Sequence, residues 1–238
     1  MSLLLPKGMR EYYGRNIDTM PKILKAGETP MWTAKLLEKR LYHGDEYSDL
    51  WDYFDSSDLV VYPKGNDKEI YLLLTADNKG KISKNGRDAL RLIKEGNLAS
   101  NYLAIVKNLD ELKGNNLIKI PLNDIIIGQG LTQEEILSEQ LLRIVARHPD
   151  EVSSEFAGDK YLLQEYAKKV KSKTKKSKNM SIYLGESLKD KTSFGPLVVG
   201  ELECGSQLRC WYGLGNSNGR FVGLAPEALK TDWKSIKK

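Results

Sequence analysis

Cysteine and histidine are scarce in this 238-residue chain, with two of each: Cys204 and Cys210, His43 and His148. A four-ligand structural zinc site would have to use every one of them, and the paired spacing of such sites is missing, so no metal centre is expected. Both histidines stand where a helix would end, His43 before Gly44 and His148 beside Pro149, which fits capping better than chemistry. The same shortage removes the usual activated nucleophiles. No serine–histidine–acid pattern is legible, and no base adjoins Cys204. No cofactor motif is present either. Gly213-Leu214-Gly215-Asn216-Ser217-Asn218-Gly219 has three residues rather than two before its last glycine. β-forming Arg220–Leu224 follows where a phosphate site needs a helix N-terminus. No run of about 18 apolar residues exists to span a bilayer, and Met1–Pro6 lacks the basic start of an export signal. A cytoplasmic protein that does not enter the membrane is the expectation.

What the chain does have is lysine, concentrated in one place. Lys168, Lys169, Lys171, Lys173, Lys175, Lys176 and Lys178 fall within eleven residues that hold no acid, and they outweigh the formal net charge of +5. The rest of the chain is therefore slightly acidic, and the basic character belongs to this segment alone. Like charges repel one another and bury no apolar surface, so the segment reads as a solvated linker over 168–178. It would join a mixed α/β part, 1–167, to a small β-rich unit, 179–238, packed on the first or separate from it. Lysines that neutralise phosphates release counterions, so nucleic acid or another polyanion is the natural partner.

Between these bounds the periodicities describe an α+β fold with a mainly antiparallel sheet. Pro30 suits the first position of a helix over 30–42 that Gly44 ends. Tyr47, Leu50, Trp51 and Phe54 repeat with helical spacing. Leu59–Tyr62 and Glu69–Thr75 are β-forming runs joined by a turn-rich link, hence an antiparallel pair. A helix over 84–95 and strands at Tyr102–Val106 and Leu117–Ile120 follow. Thr132 and Glu135 make a capping box, with Leu131 and Ile136 as its hydrophobic staple, and open a helix that Pro149 stops. Another helix covers Asp159–Val170. The C-terminal part shows four short strands: Ser181–Leu184, Leu197–Glu203, Gln207–Tyr212 and Arg220–Leu224.

Six acids and no base lie between Asp45 and Asp58. The helical stripe turns most of them outward, so a solvated acidic face is the simple reading. The order of elements over 45–107 resembles the core of the restriction-endonuclease-like nucleases. Their motif sets an Asp on one strand and a carboxylate-x-Lys on the next. The resemblance implies a metal-dependent hydrolase using Asp58 and Glu69, with Tyr71 standing where that motif has its lysine.

In the C-terminal unit a two-residue turn at Gly205-Ser206 would place Cys204 and Cys210 on opposite faces, unable to pair, so both thiols are expected free. Arg209, Trp211 and Arg220 would offer charge and stacking to a single strand of nucleic acid. The leading expectation is a binding or adaptor protein that contacts nucleic acid through its lysines and these residues. The alternatives are the metal-dependent hydrolase and a structural subunit.

Overall fold

Two central strands carry apolar side chains on both faces, and the rest of the molecule covers them. In a computed structural model of the chain, the residues described are 4–83, 86–87, 104–106 as backbone, 116–185, 189–210 and 218–230. Strand β3, Phe54–Tyr62, and strand β8, Thr192–Val199, are buried at every position. Strands β4 (Glu69–Leu73), β6 (Leu117–Pro121), β7 (Ile182–Leu184) and β9 (Leu208–Cys210) extend the sheet in the order β6-β4-β3-β8-β9-β7. Strand β5, Ala104–Val106, pairs with β8 near Thr192–Phe194, while β9 pairs with β8 at Val198 and Val199. The expected pairing of β3 with β4 is present, antiparallel, with Val60 opposite Leu72.

Alternation along these strands splits the core in two, as a period of two residues requires. Val60, Tyr62, Ile70, Leu72, Leu197 and Val199 face one way, against helices α2 (Thr33–His43), α3 (Gln133–Ser138), α4 (Gln140–Val145) and α5 (Leu162–Thr174). Leu59, Val61, Leu73 and Phe194 face the other way, against Met20 and Ile23 of helix α1 (Asn16–Lys25) and Phe221 of strand β10 (Arg220–Leu224). Strand β10 lies between β1 (Met9–Tyr13) and β2 (Thr29–Pro30) in a second, three-stranded antiparallel sheet. Helices plus two sheets, one mainly antiparallel, make the α+β class read from the sequence.

Several boundaries differ from the sequence reading, each for a local reason. Helix α2 starts at Thr33 because Thr29-Pro30 is drawn into the small sheet by β10. Residues 45–54 are not a helix. Only a 3-10 turn forms at Ser48–Trp51, because the fully buried Arg40 guanidinium takes the carbonyls of Leu50 and Asp52, which a continuing helix would have used itself. The capping box at Thr132 and Glu135 is formed, but the helix breaks at Glu139, whose carboxylate caps the next segment at Leu142 N–H, 2.7 Å away. The helix expected over 84–95 lies outside the described residues.

The lysine-rich stretch is not a solvated linker as far as Thr174. Its first half continues α5, because Tyr166, Ala167 and Val170 are buried on one side and the lysines fall on the other. Lys169 and Lys173, one turn apart, both reach Asp45, which they hold down at about 2. Strands from before and after this stretch share one sheet, with β8 paired directly to β3.

Candidate functional site

Pro196 in the middle of β8 has no N–H to give to the ladder. The partner strand answers with a bulge. Asp55 opposes Val198 and Leu59 opposes Pro196, so Ser56, Ser57 and Asp58 are squeezed against Leu197 alone. A bulge re-aims side chains, and here two carboxyl groups are buried, Asp55 just before the bulge and Asp58 at its end. Asp58 is fully buried. It accepts N–H bonds from Thr33 at 3.0 Å and Thr75 at 3.3 Å and pairs with Arg147 at 2.8 Å. It thus caps helix α2 from a distance and anchors α4's end to the sheet. Glu69 stands four residues beyond Leu73 on β4, at roughly 3.3 Å per residue, and pairs instead with Lys119 of β6. The structure does not bring Asp58 and Glu69 together.

Asp55, on the other side of the bulge, lies at the floor of a cleft of about 380 Å³ lined also by Tyr53, Val198, Gly200, Glu201, Arg209 and Asn218. It is 4% exposed. Its Oδ2 accepts the Arg220 N–H at 2.7 Å, and the Asn16 side chain also bonds to it, yet burial outweighs both and pushes the carboxyl up to about 7. The connection after β8 shapes one wall. Gly200 N–H reaches the Gln207 carbonyl at 2.7 Å, and Gly205 and Ser206 take successive left-handed conformations that close the turn. Val198 therefore pairs with Arg209, four residues out of step with the register that a two-residue turn would set. Cys204 falls in the turn, half-buried, and Cys210 is buried on β9. Both are free thiols, and burial pushes Cys210 up to about 12.

The opposite wall is aromatic. Tyr53 donates its hydroxyl to the Asn218 carbonyl at 2.9 Å, and the Tyr13 hydroxyl meets the Asn218 side chain at 3.2 Å. Arg220 lies against the Tyr53 ring, 5.0 Å from its centre, with its guanidinium held by Glu11 at 2.8 Å and Asp52 at 2.6 Å. Arg209 turns its guanidinium onto Gln207 Oε1 through Nε and Nη2. The two walls thus meet over a buried carboxyl.

Of the residues singled out in the sequence, Arg209 lines this cleft and Arg220 braces it. None of the seven lysines lines it. Lys168 pairs with Glu165 and Lys176 donates to the Glu203 carbonyl, while Trp211 lies outside the described residues. Sequence reasoning missed Tyr53, Glu201 and Asn218 and took Asp55 as one acid of the 45–58 cluster, at most a further carboxylate for the hydrolase reading, rather than as a buried cleft residue. The available signal was Pro196 within a buried β run, which demands an irregular partner strand. Among the described residues, no three acidic, histidine or cysteine side chains gather as metal ligands, and no helix is long and apolar enough to cross a membrane.

No family model and no curated protein matches the chain. Its architecture is nevertheless shared. A solved structure, described as the accommodation of massive sequence variation in Nanoarchaeota by the C-type lectin fold, superposes with a TM-score of 0.61 at 17% identity, over 91% of this chain and 96% of that one. The fold is C-type lectin-like. Within this lectin-like frame, the cleft is built by the β8–β9 connection, the residues before β3 and the entry to β10.

Proposed function

We propose that the chain is a binding module that takes a small polar ligand in the cleft of Tyr53, Asp55, Glu201, Arg209 and Asn218. The observation that carries this reading is Asp55, a carboxyl kept at the cleft floor in a site that raises its pKa. An asparagine would accept the Arg220 N–H equally well without that penalty, and strongly perturbed groups in clefts mark functional sites more often than ordinary positions do. The likeness in fold supports a scaffold role, and a frame that accommodates massive sequence variation leaves ligand choice to its side chains. A contact with nucleic acid has less behind it, because Lys168, Lys169 and Lys173 are paired with carboxylates and Lys176 with a backbone carbonyl.

The test is a fragment screen by protein NMR on the whole chain. Hits should perturb resonances of Tyr53 and Val198 and lose about tenfold in affinity, some 1.4 kcal/mol, in Tyr53→Ala or Glu201→Ala. Hits that bind both variants as tightly as the parent overturn the assignment.

A further inference from the structure

Building on that reading of the cleft, we infer that its ligand carries a positive group, a primary ammonium or a guanidinium, which enters between Glu201 and the Tyr53 ring and comes to rest on Asp55. The geometry assigns this by elimination of charge. Arg220 is satisfied by Glu11 and Asp52 and packs on the Tyr53 and Phe54 rings. Arg209 donates to Gln207, and the Cys204 thiol, bonded to Glu201 at 3.1 Å, feels both the Glu201 carboxylate and the Arg209 guanidinium, so these two residues bring one charge of each sign to the wall and leave Asp55 as the remaining acid. Among the described residues, no cationic side chain is bonded to Asp55. The groups that face it are the Arg220 N–H from β10, the Asn16 side chain from α1, Tyr53 just before β3 and the Cys210 thiol from β9, with the Arg220 guanidinium beyond. A cation at the cleft floor would meet an acid already desolvated, where a Coulomb interaction is worth more than at the surface. The neighbouring ring would add a cation–π contribution.

Such binding must displace a proton. Asp55 is raised to about 7 by burial, so at mildly acidic pH it is protonated and a cation has to release that proton to pair with it. Affinity should then rise close to tenfold per pH unit below about pH 7 and level off above it.

The probes are Nα-acetyl-lysine methylamide and Nα-acetyl-arginine methylamide. The norleucine and glutamate counterparts and a neutral methyl glycoside serve as controls, titrated into the whole chain by NMR between pH 5.5 and 8.5. The cationic probes should shift Tyr53 and Val198 resonances, with affinity climbing with pH, and Asp55→Asn should remove the pH dependence while circular dichroism stays unchanged. Glu201→Gln should weaken the cationic probes and leave the slope in place. Equal affinity for norleucine, or preference for the glycoside or glutamate, overturns the cationic assignment while leaving the cleft as a binding site. Cationic binding that is flat with pH overturns the role of Asp55. Failure of every probe and of the fragment screen removes the binding reading itself.

Discussion

Asp58 and Asp55 are three residues apart on one strand, and the bulge between them gives them opposite work. Asp58 is a structural hub: two backbone N–H groups and the buried Arg147 guanidinium depend on it. Breaking a buried pair by removing one partner leaves an uncompensated charge, so Asp58→Ala should cost about 3–5 kcal/mol, read as a fall in urea midpoint with the slope unchanged. If Asp58 were instead a metal-binding catalytic group, the variant would keep its stability and lose only activity. Asp55 and Glu139 act through pH. Burial raises both to about 7, above the ordinary 3.8 and 4.5 of the unfolded chain. Between those limits the folded state binds more protons than the unfolded one. Their stabilising contribution is complete below about pH 4 and is lost as pH rises through 7, on the order of 4 kcal/mol for Asp55 and 3 kcal/mol for Glu139. Denaturation midpoints measured from pH 4 to 8 should therefore fall with pH less steeply in Asp55→Asn/Glu139→Gln than in the parent.

At the scale of elements, local chemistry was legible where it acts within a few residues. The capping box is formed by Thr132 and Glu135 alone, and Thr132→Ala should lower stability by about 1 kcal/mol, measured by chemical denaturation, with Glu135→Ala giving a similar loss and the double variant less than the sum. Strand β10 appears at the residues its β-formers marked, and β3 pairs with β4 across the turn-rich link. What could not be read is what distant residues impose. The helix over 45–54 is replaced because Arg40, more than ten residues upstream of Asp52, takes its carbonyl. The start of α2 is moved by β10, which lies nearly two hundred residues away in the chain. Glu139 broke a helix with correct periodicity because its own carboxylate offered Leu142 N–H a better partner than the turn before it. The cleft was invisible for the same reason. Its walls come from Tyr53, from Glu201 and Arg209 and from Asn218, segments distant in the chain that meet over Asp55 next to the bulge opposite Pro196.

For the whole molecule the question is where the chain can be divided, and sheet order answers it. Strand β3 has β4 on one side and β8 on the other, so residues 192–199 complete the centre of a sheet in which β3, β4, β5 and β6 come from before residue 168 and β7 and β9 from after it. Without β8, Leu59, Val61 and Leu73 lose Phe194 as a neighbour in their core, and β3 presents an unpaired edge whose Leu59–Tyr62 end is apolar, a ready template for aggregation. Fully burying one such side chain is worth about 1.5–3 kcal/mol, against a typical total stability of about 5–15 kcal/mol. Losing β8 and the apolar contacts around it therefore removes most of the margin. A fragment ending at Ala167 should be unfolded or aggregated, with no cooperative thermal transition. The same fragment mixed with residues 179–238 should regain one only by strand complementation. A fragment 1–167 that melts cooperatively by itself would show instead that the half before the lysines carries its own core. The basic helix end would then be a hinge between independent units rather than the outer layer over one continuous sheet.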